Sequence, residues 1–85
     1  MSEEALVESA ISSFIIDNFL FGDSSAAPGR DAALVQSGLV DSTGILEIVA
    51  FLENRFGVTP TDEELAVDNF GSISTIAKFV LAKQG

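Results

Sequence analysis

The segment between Asp41 and Gly57 carries the clearest helical pattern in the chain. Its apolar residues recur at the spacing i, i+3, i+4, i+7 and i+11, as Ile45, Ile48, Val49, Leu52 and Phe56. At about 3.6 residues per turn, these positions share one face of a helix. The spacing predicts a helix over 42–56 that buries this face, and Gly57 is well suited to end it.

Similar apolar spacing predicts one helix on each side of this segment. The first is predicted to start at Ser2 and to stop near Phe21. Its expected buried stripe is Val7, Ile11, Phe14, Ile15 and Phe19. The last helix is predicted to follow Ser72 as its cap. Its expected buried residues are Ile73, Ile76, Ala77, Val80 and Leu81.

The segment from Gly22 to about Asp41 is predicted to be a long first loop. Turn-forming residues crowd positions 22–29, and a connection of this length is usually functional or disordered. Apolar residues resume at Leu34, which favours a loop packed on the same domain. Residues 31–35 are predicted to form a single helical turn that buries Leu34.

A very short third helix is predicted at 61–65, with Thr61 or Asp62 as its cap. No alternating strand pattern runs along the sequence. The chain of 85 residues is therefore expected to form one domain, residues 1–85, of the all-α class. Its architecture is predicted to be three main helices plus one short helix, with a long first loop.

The residue types that the chain lacks exclude most chemistry. It contains no cysteine, histidine, tryptophan or tyrosine, so it has no disulfide framework and no thiolate metal site. The commonest general base and the commonest metal ligand are also missing, and a Ser-His-Asp triad cannot be built. We expect a protein that is not an enzyme and holds no metal, although a hydrolase using carboxylates alone stays formally open.

The charge balance is strongly acidic, with 13 Asp and Glu against 4 Lys and Arg. Such a surface repels nucleic acid and anionic membranes and attracts basic partners, although it can also serve only to keep a small protein in solution. No apolar run approaches the roughly 20 residues of a membrane helix. The acidic start at 1–4 also differs from the basic start of a secretory signal. We expect a cytoplasmic monomer with no membrane insertion.

Ser42 stands at the start of the predicted middle helix, directly after Asp41. A helix N-terminus presents unpaired N–H groups and the positive end of the macrodipole, so a phosphate esterified to Ser42 would be stabilised there. Because the rest of the sequence supplies almost no chemistry, we expect Ser42 to be an attachment point rather than a catalyst. The alternatives are that Ser42 is a simple N-cap, worth about 1 kcal/mol, and that Asp41 is only a capping acid.

Several stretches of the sequence match motifs of one known family. They are Gly38-Leu39-Val40-Asp41-Ser42, then Glu47, then Phe51-Leu52-Glu53-Asn54-Arg55-Phe56-Gly57-Val58, then 61–64 and 69–73. Together they make the chain resemble the acyl carrier and peptidyl carrier proteins. The similarity covers nearly the whole chain, including the helix order and the long first loop. It implies a four-helix bundle of acyl-carrier type.

In that family, the serine after the aspartate receives a 4′-phosphopantetheine arm from coenzyme A. The resemblance implies that Ser42 is the modified residue, that Asp41 is its motif neighbour, and that the arm carries an acyl or aminoacyl group as a thioester. The implied partners are a Mg²⁺-dependent phosphopantetheinyl transferase, a loading ligase and downstream transferases or synthases of fatty acid, polyketide or nonribosomal-type biosynthesis. Met1 and the complete helix set favour a free protein over a domain of a synthase.

Two positions after the serine depart from the family pattern. Many fatty-acid carriers read Asp-Ser-Leu followed by an acid, whereas this chain has Thr43 and Gly44. In this respect it looks more like discrete aminoacyl carriers, D-alanyl carriers included, and like some stand-alone carriers of nonribosomal or polyketide pathways. Gly44 lowers helix propensity by up to ~1 kcal/mol, which predicts a loose first turn that eases access to a transferase.

The outer face of the middle helix is the predicted docking surface for partner enzymes. It comprises Thr43, Leu46, Glu47, Ala50 and Phe51. One central carboxylate lies among apolar groups, and apolar anchors can supply much of the binding energy. For Phe51, the alternative is that it packs against the third helix.

One competing function stays open: an acidic helical interaction module that is never modified. A calcium sensor is excluded, because no stretch supplies the alternating ligands, central glycine and terminal glutamate of an EF-hand loop.

Overall fold

Helices are the regular elements of the computed structural model, which describes residues 2–65 and 67–84, and no strand occurs among these residues. In chain order they are α1 (Glu3–Phe19), α2 (Ser42–Phe56), α3 (Val67–Phe70) and α4 (Ile73–Gln84). Three of them are long, and α3 has only four residues. The predicted all-α class is confirmed for the described part of the chain. None of the described helices is long and apolar enough to cross a membrane.

Local side chains and one glycine fix the ends of the long helices. Ser2 caps α1, because its Oγ accepts a first-turn N–H at 3.1 Å. Ser72 caps α4 as predicted, accepting a hydrogen bond from the Thr75 N–H at 3.3 Å. α2 ends at Gly57, whose φ of 69° lies in the left-handed region that glycine favours. These caps confirm the predicted start of α1 and α4 and the end of α2.

The core lies between α1, α2 and α4. α1 and α2 run antiparallel, because Phe19 at the end of α1 lies against Gly44 near the start of α2, while Phe14 stacks on Phe51 further along. The buried apolar side chains of these helices are Val7, Ile11, Ile15, Ile48, Leu52, Ile73, Ile76, Ala77, Phe79 and Val80. The other predicted stripe residues are half-buried: Phe14, Phe19, Ile45, Val49, Phe56 and Leu81.

The first loop contains its helical turn at a different place from the predicted one. A 3₁₀ turn covers Ser24–Ala26, and the helical turn predicted at 31–35 is wrong. Two backbone bonds tie this segment to the start of α4: the Leu34 N–H donates to the Gly71 oxygen at 2.8 Å, and the Arg30 oxygen accepts the Ser74 N–H at 2.8 Å. Leu34 is fully buried, as predicted.

The segment 61–65 is a turn, so the prediction of a short helix there is wrong. Thr61 and Glu64 form a reciprocal capping pair, with the Thr61 N–H donating to Glu64 Oε1 at 2.9 Å and the Glu64 N–H donating to Thr61 Oγ1 at 3.3 Å. Its backbone bonds span only three residues, and the Asn69 amide donates to the Glu64 oxygen at 2.9 Å. The cap therefore closes a turn, and the short helix α3 follows later.

Candidate functional site

Asp41, not Ser42, is the N-cap of α2. Its backbone is extended, and its Oδ1 accepts the Gly44 N–H at 2.8 Å. Its own backbone oxygen accepts the Ile45 N–H at 2.9 Å, which starts the helical ladder. Asp41 thus has the capping role considered for it, and Ser42 becomes the first residue of the helix.

Because Asp41 supplies the cap, the Ser42 side chain has no structural task. Ser42 is exposed, and its hydroxyl makes no hydrogen bond to any residue that the structure describes. It stands at the positive end of a 15-residue helix. The site therefore offers an accessible hydroxyl in a position where added negative charge is stabilised.

A cleft of about 370 Å³ opens beside Ser42. Its lining residues are Val35, Asp41, Ser42, Ile45, Leu46, Leu65 and Phe70. Apart from Asp41 and Ser42 all of them are apolar, and the volume falls within the roughly 300–1,000 Å³ of small-molecule sites. Val35, Leu65 and Phe70 were not predicted as site residues, because they lie apart in the sequence from Asp41 and Ser42 and only the fold brings them to the cleft.

The predicted docking residues divide into two groups. Thr43, Leu46, Glu47 and Ala50 are exposed, and Leu46 is 62% exposed despite its size. Phe51 instead is half-buried and stacks on a phenylalanine of α1.

The aromatic contacts of Phe51 lie within this chain. Its ring centroid lies 4.5 Å from that of Phe14, with an interplanar angle of 22°. It also meets Phe56 edge-on, with 6.0 Å between the ring centroids. The alternative considered for Phe51, packing inside the domain, therefore occurs, but against α1 rather than the third helix.

Gly44 has a packing role that the helix-propensity argument did not foresee. It is buried, and a Cβ at this position would lie 2.8 Å from Phe19 Cε1 and 2.9 Å from Val40 Cγ1. The glycine admits the ring of Phe19 against the first turn of α2. The prediction of a loose first turn is unsupported, because this turn is packed and its Gly44 N–H is bonded to Asp41. A glycine inside a helical pattern is the sequence signal for such close packing.

Among the described residues, none of the four cationic side chains lines the cleft beside Ser42 or forms an ion pair with Asp41. Arg30 donates to Glu8 through two bonds of 3.0 and 2.8 Å and to Glu4 at 2.8 Å, which ties the first loop to α1. These bonds hold the pKa of Glu8 below its ordinary value. Lys83 pairs with Glu64 at 3.0 Å.

The two remaining cations also lie elsewhere. Arg55 lies near the far end of α2, with its guanidinium 5.3 Å from the ring centroid of Phe56. Lys78 belongs to α4, and its positive charge helps to lower the pKa of Glu8 in α1. The charged residue that lines the cleft beside Ser42 is an acid, Asp41.

No model of a known protein family matches the chain, and no curated protein matches it significantly.

Proposed function

We propose that this protein is a discrete acyl or aminoacyl carrier that bears a 4′-phosphopantetheine arm on Ser42. In this proposal the three long helices and α3 form a four-helix bundle of acyl-carrier type. One observation carries the proposal: Asp41 caps α2, so that the Ser42 hydroxyl is exposed and free of hydrogen bonds to the described residues.

The attachment step suits such a hydroxyl. A bond forms between Ser42 Oγ and phosphorus, the pyrophosphate bond of coenzyme A breaks, adenosine bisphosphate leaves, and the hydroxyl proton goes to the transferase. A serine already engaged as an N-cap would first have to give up its bond to the backbone. The product phosphodiester stands at the N-terminus of α2, where the helix dipole stabilises its charge.

The residues around Ser42 fit an arm of this kind. The arm supplies a terminal thiol that carries the cargo, and the chain has no cysteine of its own to compete for a thioester. The cleft beside Ser42 presents Leu46 and Leu65 as apolar walls, which favours shelter for an acyl group or for the arm.

The partners in this proposal are enzymes that read the outer face of α2. Thr43, Leu46, Glu47 and Ala50 are its exposed residues, so a partner surface would combine apolar contacts with a basic group for Glu47. We propose that the protein is a cytoplasmic monomer that receives its arm from a phosphopantetheinyl transferase and its cargo from a loading ligase.

Intact mass measurement tests the proposal. The apo protein is incubated with coenzyme A, Mg²⁺ and a broad-specificity phosphopantetheinyl transferase, alongside Ser42→Ala and Thr43→Val. Wild type and Thr43→Val are expected to gain one phosphopantetheine unit, and Ser42→Ala none. Circular dichroism checks that each variant is folded. A folded wild type without any gain would contradict the carrier function and favour the unmodified acidic interaction module.

A further inference from the structure

The turn after α1 places a phenylalanine where the backbone favours glycine or asparagine. The Asp23 N–H donates to the Leu20 oxygen at 2.9 Å, closing a four-residue turn. Its two central residues, Phe21 and Gly22, have φ of 54° and 83°. Two positive φ values define a type I′ turn, for which Asn-Gly is the preferred pair. α1 therefore ends at Phe19, before the predicted Phe21, and Phe21 adopts a strained conformation for a bulky residue.

The side chain of Phe21 gains nothing from packing in return for this strain. It is 97% exposed, whereas the other exposed large apolar side chains, Leu6 and Leu46, are 55% and 62% exposed. The left-handed backbone at Phe21 lets the Gly22 N–H donate to the Ile16 oxygen at 2.9 Å and so helps to end α1, a task that glycine or asparagine performs without strain. The exposed phenyl ring itself stabilises neither the turn nor the core. Strain of this kind is typically kept at functional positions.

Phe21 lies at the end of the molecule where α2 begins. The antiparallel contact of Phe19 with Gly44 brings the end of α1 to the first turn of α2, and Phe21 follows Phe19 by two residues. Each partner in a standard interface covers roughly 800 Å², a patch about 30 Å across. Centred on Ser42, such a patch extends about 15 Å to each side. It therefore includes the end of α1 that meets Gly44, which is the region that carries Phe21.

The charges near Phe21 indicate what kind of partner surface is complementary to this end of the protein. Asp17, Asp23 and Asp41 are exposed there, and none of them forms an ion pair with a lysine or arginine among the described residues. A complementary partner surface has an apolar pocket for a phenyl ring, surrounded by lysine or arginine.

We propose that Phe21 is an apolar anchor for the transferase that modifies Ser42. The phenyl ring enters a pocket on that enzyme, and basic groups around the pocket meet the neighbouring carboxylates. This inference rests on the proposed function, because only a modified serine requires such an enzyme. It adds a docking residue outside α2, in the first loop.

Steady-state kinetics of the transferase with coenzyme A and Mg²⁺ test the proposal, with the apo protein as the varied substrate. Phe21→Asn supplies the residue that the turn prefers, so it is expected to fold at least as stably as wild type. Its KM is expected to rise about tenfold with little change in kcat, because truncating an aromatic anchor weakens binding. Phe21→Leu, which keeps an apolar side chain, is expected to retain most of the wild-type KM.

Leu6→Ala is the matched control. It removes an exposed apolar side chain at the opposite end of α1, near Arg55 and Phe56, and is expected to leave KM unchanged. If the transferase modifies wild type and Phe21→Asn with the same KM, the role of Phe21 as an anchor is overturned while the proposed function stands. A folded wild type that is never modified would overturn the proposed function, and this inference with it.

Discussion

Phe19 lies so close to Gly44 that a Cβ on the glycine would come within 2.8 Å of the phenyl ring. The pair joins the last turn of α1 to the first turn of α2, two residues after Ser42. The position of the candidate attachment site thus depends on a helical residue that has no side chain.

Replacing Gly44 tests this contact. Gly44→Ala is expected to lower the free energy of unfolding by about 1–2 kcal/mol, because overpacking outweighs the better helix propensity of alanine. Gly29→Ala is the control, since a Cβ there meets no atom within 4 Å and its φ is not in the left-handed region. Its change is expected to stay within about 0.5 kcal/mol. Urea unfolding measures both, and a Gly44→Ala variant as stable as wild type would contradict the packing described.

The Asp41 cap gives a second prediction. Asp41→Ala removes the acceptor for the Gly44 N–H and is expected to cost about 1 kcal/mol of stability. Asp41→Asn keeps a side-chain oxygen at the same position, and asparagine caps nearly as well, so its cost is expected to be only a few tenths of a kcal/mol. Equal losses for the two variants in urea unfolding would show that the carboxylate charge, rather than the hydrogen bond, is what matters.

The sequence was enough to predict the long helices, because their signals are local. The stripe from Ile45 to Phe56 stands between a capping acid and Gly57, and these neighbours determine both helix ends. The same local signals did not predict where the short helices form. Leu34 is buried without a helical turn, because its N–H bonds to Gly71, a residue distant in the sequence.

The site was predictable only in part, for the same physical reason. Ser42 and Asp41 belong to one motif, so their adjacency is visible in the sequence. The cleft beside them also needs Val35, Leu65 and Phe70, which the fold brings together from separate segments. The close approach of Phe19 to Gly44 likewise depends on how α1 and α2 pack.

Acid titration of Glu8 gives a third prediction. The hydrogen bonds from Arg30 are the main cause of its lowered pKa in the folded protein, whereas the unfolded chain has the ordinary value of 4.5. The stability that the bonds between Arg30 and Glu8 contribute is fully present above the ordinary pKa of Glu8. It is lost as the pH falls through the lower pKa that Glu8 has in the folded protein. Glu8→Gln is therefore expected to weaken the fall in Tm that the wild type shows as the pH drops below 4.5.

Glu53→Gln is the matched control for this titration. Glu53 is exposed, and its side chain makes no ion pair or hydrogen bond to the residues that the structure describes. This variant is expected to keep the wild-type pH dependence of Tm. If Glu8→Gln also kept it, the ion pair between Arg30 and Glu8 would contribute nothing to the pH dependence of stability.

The stacked pair of Phe14 and Phe51 gives a fourth prediction. A double-mutant cycle with Phe14→Ala and Phe51→Ala is expected to show a coupling free energy of about 0.5–1.5 kcal/mol, because the two rings are in direct contact. Urea unfolding of the four proteins measures it. Additive losses would contradict the stacking and would leave Phe51 available for partner docking.

Peptide mapping of the modified protein tests the central claim most directly. After incubation with coenzyme A, Mg²⁺ and the transferase, the protein is digested and the fragments are sequenced by tandem mass spectrometry. The account predicts phosphopantetheine on Ser42 and on no other serine or threonine. Modification at another residue, with Ser42 unchanged, would contradict the role that the capped helix and its free hydroxyl assign to this serine.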